Sequence, residues 1–423
     1  MKDRIEIMPR GAIHATVRPP GSKSITNRAL ICAALAEGTS QLSGVLDSDD
    51  TRVMIDSLRR LGLALRFFPD FQKVEIEGCG GNWPARGADL FIGNSGTSIR
   101  FLTAALAIGK GVFRLDGIHR MRERPIGDLL ATLQQLGVHI YSGGNNGCPP
   151  VVLNACGLPG GRAEVRGDIS SQFLSGLLLA LPYARGPVQL VVAGELVSQP
   201  YVEMTLRVMQ AFGVTPTSQG LARFAFTGQQ CYRGSDYAIE PDASAASYFW
   251  GAAAITGGEV TVQGLSRNAL QGDVAFCDCL AQMGCQVHYA DDHITVSGRA
   301  SRGISVNMNA ISDTVQTLAA VALFAQGPTT ITGVAHIRHK ETDRIGDLAR
   351  ELRKLGAVVD EFDDGLRITP GPLRGAEIET YNDHRMAMSL ALAGLSIPGV
   401  VINDPACTAK TYPRFFDDFA QLG

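Results

Sequence analysis

Long apolar runs are missing from this chain. None of its uninterrupted hydrophobic stretches exceeds eight residues, 318–325 being one of that length, whereas a membrane-spanning helix needs about 20. A transmembrane span is therefore excluded. The start, Met1-Lys2-Asp3-Arg4-Ile5-Glu6, alternates charge with apolar residues and lacks the hydrophobic stretch of an export signal, so a cytoplasmic protein is expected. Positive charge is not in excess either. Lys and Arg number 38 against 41 Asp and Glu, a formal net charge of −3, while a nucleic-acid or anionic-membrane surface needs a basic patch. Neither partner is expected, and any bound anion should be small. The nine cysteines are odd in number, scattered and never spaced Cys-x-x-Cys, which predicts reduced thiols. Cys277, Cys279, Cys285 and His288 come nearest to a metal cluster, but residues two apart on a helix point about 200° apart. No metal or other cofactor is expected.

What is present is a repeat. The 423 residues, 45% hydrophobic and 19% charged, suit two or three globular domains. Apolar-x-x-apolar-Gly recurs at Gly62, Gly137, Gly213, Gly284, Gly356 and Gly423, at intervals of 75, 76, 71, 72 and 67 residues. Each glycine stands where an amphipathic helix should end. In the same period run Ala/Leu-rich segments too apolar for surface helices, namely 28–36, 100–108, 173–184, 245–255, 314–325 and 385–395. Each unit of about 70 residues thus reads as a buried helix, a strand, an outer helix and further strands. No single unit can cover its buried helix, so several must share a core. Three units per domain gives two α/β domains, with a midpoint near residues 235–245; periodicity leaves open which half the N-terminal strand joins.

The buried helices begin with polar residues, where free N–H groups and the helix dipole favour anions. The first start is Gly21-Ser22-Lys23-Ser24-Ile25-Thr26-Asn27-Arg28; with Thr at position 16 it is not a P-loop. The others are Gly93-Asn94-Ser95-Gly96-Thr97-Ser98-Ile99-Arg100, Asp168-Ile169-Ser170-Ser171-Gln172, Pro241-Asp242-Ala243-Ser244, the segment holding Asp313, and Asn382-Asp383-His384-Arg385. Taken singly, most of these are ordinary helix caps. Arg385 is harder to dismiss, because a cation at a helix N-terminus opposes the dipole and is best tolerated beside an anion. The outer helices add cations in register: 13 residues before Gly137 and Gly423 stand Arg124 and Lys410, and 12 before Gly356 stands Arg344. A charge run is usually a solvated face, but three cations at equivalent repeat positions point to a shared anion.

These segments, with Arg122-Glu123-Arg124-Pro125, Lys340-Glu341-Thr342-Asp343-Arg344 and Ala409-Lys410-Thr411-Tyr412-Pro413, resemble in order the enolpyruvyl transferase family, over nearly the whole chain, and within it the branch acting on shikimate 3-phosphate. The resemblance implies two domains of three β/α units each, an inside-out α/β barrel, spanning 21–239 and 1–20 with 240–423. It places the active site in the interdomain cleft; with positive helix ends facing that cleft, like charges should keep it open until anionic ligands lie between them. The implied reaction moves the enolpyruvyl group of phosphoenolpyruvate to the 5-hydroxyl of shikimate 3-phosphate, through a tetrahedral intermediate that expels phosphate. By matching position, Lys23, Arg124, Arg344, Arg385 and Lys410 would hold phosphoenolpyruvate, with Asn94 and Gly96 lining its pocket and Gln172 touching both ligands. Ser24 and Arg28 would bind the shikimate carboxylate; Ser170, Ser171, Ser198 and Lys340 its 3-phosphate; Tyr201 would lie beside the ring. Asp313 would accept the hydroxyl proton and Glu341 protonate the methylene carbon, with Lys23 counted in the catalytic set. His336 and Phe101 depart from the family pattern, which commonly has Asn and Pro there, and His336 would touch the shikimate hydroxyls. Gly96 leaves room for glyphosate, so competitive inhibition is expected, as is a monomer. The branch using UDP-N-acetylglucosamine carries a catalytic Cys near the Arg124 region, whereas no Cys lies between Cys79 and Cys148. A binding protein without turnover would have lost Asp313 or Glu341; both are present.

Overall fold

A computed structural model of the chain describes residues 3–422; Met1, Lys2 and Gly423, the last repeat glycine, lie outside the described residues. Helices of two kinds alternate along the chain: α1 (Lys23–Leu35), α2 (Asp49–Arg60), α3 (Gly96–Leu106), α4 (Gly127–Gln135), α5 (Ser171–Ala180), α6 (Gln199–Ala211), α7 (Ala243–Thr256), α8 (Phe276–Gln282), α9 (Val315–Ala322), α10 (Gly346–Lys354), α11 (His384–Gly394) and α12 (Phe415–Ala420). The odd-numbered helices are buried almost all round, α7 over its whole length. Even-numbered helices such as α2 and α10 bury one face and expose their Arg and Lys. Gly62 and Gly356, at φ of 91° and 102°, turn the chain out of α2 and α10 through the left-handed conformation that a side chain resists.

Two compact units result, Gly21–Ile239 and Met1–Pro20 with Glu240–Gly423. In the first, α1, α3 and α5 pack on one another; in the second, α7, α9 and α11 do. Around each trio stand small mixed sheets whose strands alternate buried and exposed residues, as in Thr39–Ser43, so the helices form the core and the sheets the shell. A common strand order repeats. Gly87–Phe91 runs parallel to Lys110–Asp116, which is antiparallel to Val151–Cys156, itself antiparallel to His139–Ser142. Strands distant in sequence complete two sheets: Asp236–Ala238 pairs with Thr39–Ser43, and His14–Val17 with Glu259–Gln263. In the last sheet Arg4–Ile7 pairs antiparallel with Val400–Asn403.

The buried helices start earlier than their apolar runs, because the first turns are polar yet still helical: α3 begins at Gly96 and α5 at Ser171. The fifth differs. Residues Asn309–Thr314 form a 3-10 segment broken at Ile311, and the α-helix begins only at Val315. The Thr314 hydroxyl bonds back to the Ile311 carbonyl at 2.9 Å, a local hydrogen bond that competes with regular helix.

Candidate active site

In the unit Gly21–Ile239, the starts of α1, α3 and α5 hold most of the residues singled out by sequence. Ser22 caps α1 by accepting from the Ile25 N–H, and the Lys23 ammonium lies 3.5 Å from the Asp50 carboxylate on α2. One turn on, the fully buried Arg28 donates to the Ser24 carbonyl (2.8 Å), the Thr205 hydroxyl (2.7 Å) and the Tyr201 carbonyl (3.0 Å). Its guanidinium also lies over the Phe101 ring, 5.1 Å from the centroid. Burial lowers the Arg28 pKa to about 10, which still leaves a cation at neutral pH. Arg124 reaches back from the segment before α4 to the Asn94 carbonyl and side-chain oxygen, at 3.0 and 3.2 Å. Ser170 caps α5 through the Gln172 N–H, and Ser171 follows it as the first helical residue. Ser198 stands ahead of α6 in left-handed backbone at φ 52°.

Arg100 ties the starts of α3 and α5 to the segment before α4. It donates to the Gly96 carbonyl (3.1 Å), the Gln172 side-chain oxygen (3.0 Å) and the Pro125 carbonyl (2.8 Å). A methyl group at Gly96 would run into the guanidinium groups of both Arg124 and Arg100, so glycine there keeps the first turn of α3 close to two cations.

In the unit formed by Met1–Pro20 and Glu240–Gly423, the carboxylates and cations interleave. The Arg344 guanidinium, 1% exposed, bonds Asp383 through Nε (2.7 Å) and Nη2 (3.1 Å), Glu341 (2.8 Å) and Asp313 (3.3 Å). Burial alone would lower its pKa, but Asp383, Glu341 and Asp313 reverse that and hold it above the ordinary arginine value. Arg385 meets the other Asp313 oxygen at 2.8 Å and the Tyr248 hydroxyl at 3.3 Å. The anion that a cation at the start of α11 called for is thus supplied by the protein itself. Lys410 lies 3.8 Å from Glu341. His336, in the 3-10 turn Ala335–His339 that leads into Lys340, is buried; desolvation first, then the Lys340 charge, lower its pKa to about 3, leaving a neutral imidazole at pH 7. Within each unit several of the sequence-predicted residues thus meet, in the first through backbone carbonyls and caps, in the second through a carboxylate-guanidinium network.

Sequence reading missed the residues that hold these groups. Asp50, Tyr248 and Asp383 hold Lys23, Arg385 and Arg344 respectively, and Arg100 holds the Gln172 side chain. Asp383 is also a cap, accepting from the Arg385 N–H at 2.9 Å. A buried Arg at a helix start is the signal that would have led to such partners, since a buried charge must be paired. Among the described residues, no cluster of His, Cys, Asp or Glu could hold a metal ion, and no helix is long and apolar enough to cross a membrane.

Known proteins resemble this chain in sequence and fold. The model of the family described as EPSP synthase (3-phosphoshikimate 1-carboxyvinyltransferase) matches residues 7–419. The chain belongs to the EPSP synthase family. A 3-phosphoshikimate 1-carboxyvinyltransferase of Nostoc punctiforme is 48% identical, covering 97% of this chain and 96% of that protein. One from Laribacter hongkongensis is 49% identical over 99% of each. Among solved structures, an EPSP synthase from Acinetobacter baumannii superposes with a TM-score of 0.82 at 28% identity, over 100% of this chain and 98% of that one. An enolpyruvyl transferase of Streptomyces tendae, 21% identical with a TM-score of 0.80 over 99% and 97%, shares the fold. Phe101 is fully buried beneath Arg28, and His336 is buried and neutral.

Proposed function

We propose that this chain transfers the enolpyruvyl group of phosphoenolpyruvate to the 5-hydroxyl of shikimate 3-phosphate and releases phosphate, as a cytoplasmic monomer needing no cofactor. The observation that carries this reading is Asp313, whose two oxygens are held by Arg344 and Arg385, with Glu341 on the same Arg344. One guanidinium thus orients two carboxylates, a base and an acid kept as distinct groups, as proton transfer to carbon and from oxygen requires. Phosphoenolpyruvate bound on Arg344, Arg385 and Lys410, with Lys23 and Arg124, would draw these cations toward its own charges. Asp313 would then be left to take the hydroxyl proton and Glu341 to protonate the methylene carbon. Preorganised cations also suit the charge that develops as phosphate leaves. Ser24, Arg28, Ser170, Ser171, Ser198, Tyr201, Lys340 and His336 would hold shikimate 3-phosphate, Gln172 both ligands, and Asn94 and Gly96 the phosphoenolpyruvate pocket. Glyphosate would compete with phosphoenolpyruvate beside Gly96.

The test is phosphate release in EDTA from phosphoenolpyruvate plus shikimate 3-phosphate, beside Asp313→Ala and a UDP-N-acetylglucosamine control. Release should require shikimate 3-phosphate and collapse in the variant; release supported only by the nucleotide sugar refutes the assignment.

A further inference from the structure

Just ahead of Asp383 the backbone does something that L-residues avoid. Tyr381 and Asn382, neither of them glycine, both adopt the left-handed conformation, each at φ 54°. Such a turn persists only where its surroundings hold it, and here the holding contacts are specific. The Tyr381 hydroxyl donates to Glu351 Oε1 at 2.6 Å and accepts from Arg350 at 3.1 Å, whose guanidinium lies over the same ring. Glu351 is fully buried on α10. Its other oxygen accepts from the Glu379 N–H at 3.0 Å and faces the Lys354 ammonium at 2.7 Å. One buried carboxylate therefore grips the chain on both sides of residue 380, while Asn382 is exposed.

The consequence falls on the arginines. Asp383, fully buried, both binds Arg344 and caps the first turn of α11 that carries Arg385. Its aim is set by the two residues before it. Arg344 itself stands just before α10, so the contacts close a ring: Arg344 to α10, Glu351 to Tyr381, Asp383 back to Arg344.

We propose that Tyr381 and Glu351 are positioning residues for the phosphoenolpyruvate site, holding the strained turn 381–382 so that Asp383 keeps Arg344 and Arg385 in place. The proposal rests on the reading that these two arginines bind phosphoenolpyruvate. A residue that merely supports the fold would impair both substrates together; a positioning residue acting through Arg344 and Arg385 impairs phosphoenolpyruvate.

The experiment is Tyr381→Phe, which keeps the ring and removes both hydrogen bonds. Losing a hydrogen bond to a charged group is expected to raise KM for phosphoenolpyruvate about tenfold, with the Kd for shikimate 3-phosphate, measured by equilibrium binding, within about twofold of the parent. Adding Asn382→Gly, which removes strain at an exposed position, should recover part of that loss. An unchanged KM overturns the proposal, as does an equal loss in both substrates. A readout independent of turnover is hydrogen exchange at the Arg344 side-chain Nε–H, bonded to Asp383. It should quicken at least about tenfold in Tyr381→Phe, and an unchanged rate refutes the positioning role even if the parent releases no phosphate, the result that would instead refute the proposed reaction.

Discussion

Asp273 offers the sharpest test of the electrostatics in the unit that holds Asp313. It is fully buried, in the turn Gly272–Ala275 packed against α7 and the Asn309–Thr314 segment, and accepts a hydrogen bond from the Ser244 hydroxyl at 3.0 Å. Burial first, then the charges of Asp313 and Asp242, raise its pKa from 3.8 to about 7, against the pull of Arg385. A carboxyl whose pKa is raised by folding binds its proton more tightly in the native state, so stability is present at acid pH and lost as pH rises from about 4 to about 7. The difference of 7 − 3.8, or 3.2 pH units, at 1.36 kcal/mol each amounts to about 4 kcal/mol. Asp273→Asn keeps an acceptor for Ser244 and cannot ionise. It should therefore match the parent near pH 4 and exceed it by up to about 4 kcal/mol at pH 8. Urea unfolding followed through Trp250, which lies in the same unit, in a Trp83→Phe background, would measure this. A stability gap that does not change with pH, or a variant less stable than the parent at pH 8, would refute the reasoning.

Other expectations follow from single contacts. Gly96→Ala would push the Arg124 and Arg100 guanidinium groups off their partners, and inhibition kinetics should show weaker glyphosate competition with a higher KM for phosphoenolpyruvate. Phe101→Ala would empty a fully buried site beneath Arg28; calorimetry should register a loss of about 3–5 kcal/mol, and a loss below about 1 would mean the ring is not packed as described. His336, held neutral with a pKa of about 3, should show no imidazole titration by NMR between pH 5 and 8, and its contribution to stability is lost only as pH falls from about 6.5 toward 3. A midpoint near 6 would contradict its burial.

The repeat was legible in the sequence because helix ends are written in local chemistry. Gly62 and Gly356 mark exits that need a left-handed residue, and the apolar runs mark helices that touch neighbours on every side. Register counted from the repeat glycines Gly137, Gly356 and Gly423 located Arg124, Arg344 and Lys410 without any structure. Pairings between distant segments were not legible. Nothing near Arg28 in sequence announces Thr205 or Phe101, and nothing near Arg344 announces Asp383, 39 residues on. The start of the fifth buried helix was legible, its apolar run opening at Thr314 against an observed start at Val315, but the 3-10 turn Asn309–Thr314 ahead of it, broken at Ile311, was not. Tyr381 gave no sign of left-handed backbone, and Asn382, of a residue type that tolerates it, gave only a weak one.

The strand pairings also bear on how the protein is made. Gly21–Ile239 is a continuous stretch whose two ends meet, Ile239 bonding to the Ser43 carbonyl and Gly21 lying against Gly44 beside it; the ribosome delivers it whole and in one piece. Its host unit is delivered in two instalments. Strand His14–Val17 must wait for Glu259–Gln263, and Arg4–Ile7 for Val400–Asn403. At roughly 5–20 residues per second, that last wait is on the order of 20–80 s, during which Arg4–Ile7 lacks the strand it pairs with. The inserted unit is thus ready to fold first, and Arg4–Ile7 waits longer for its partner than His14–Val17 does.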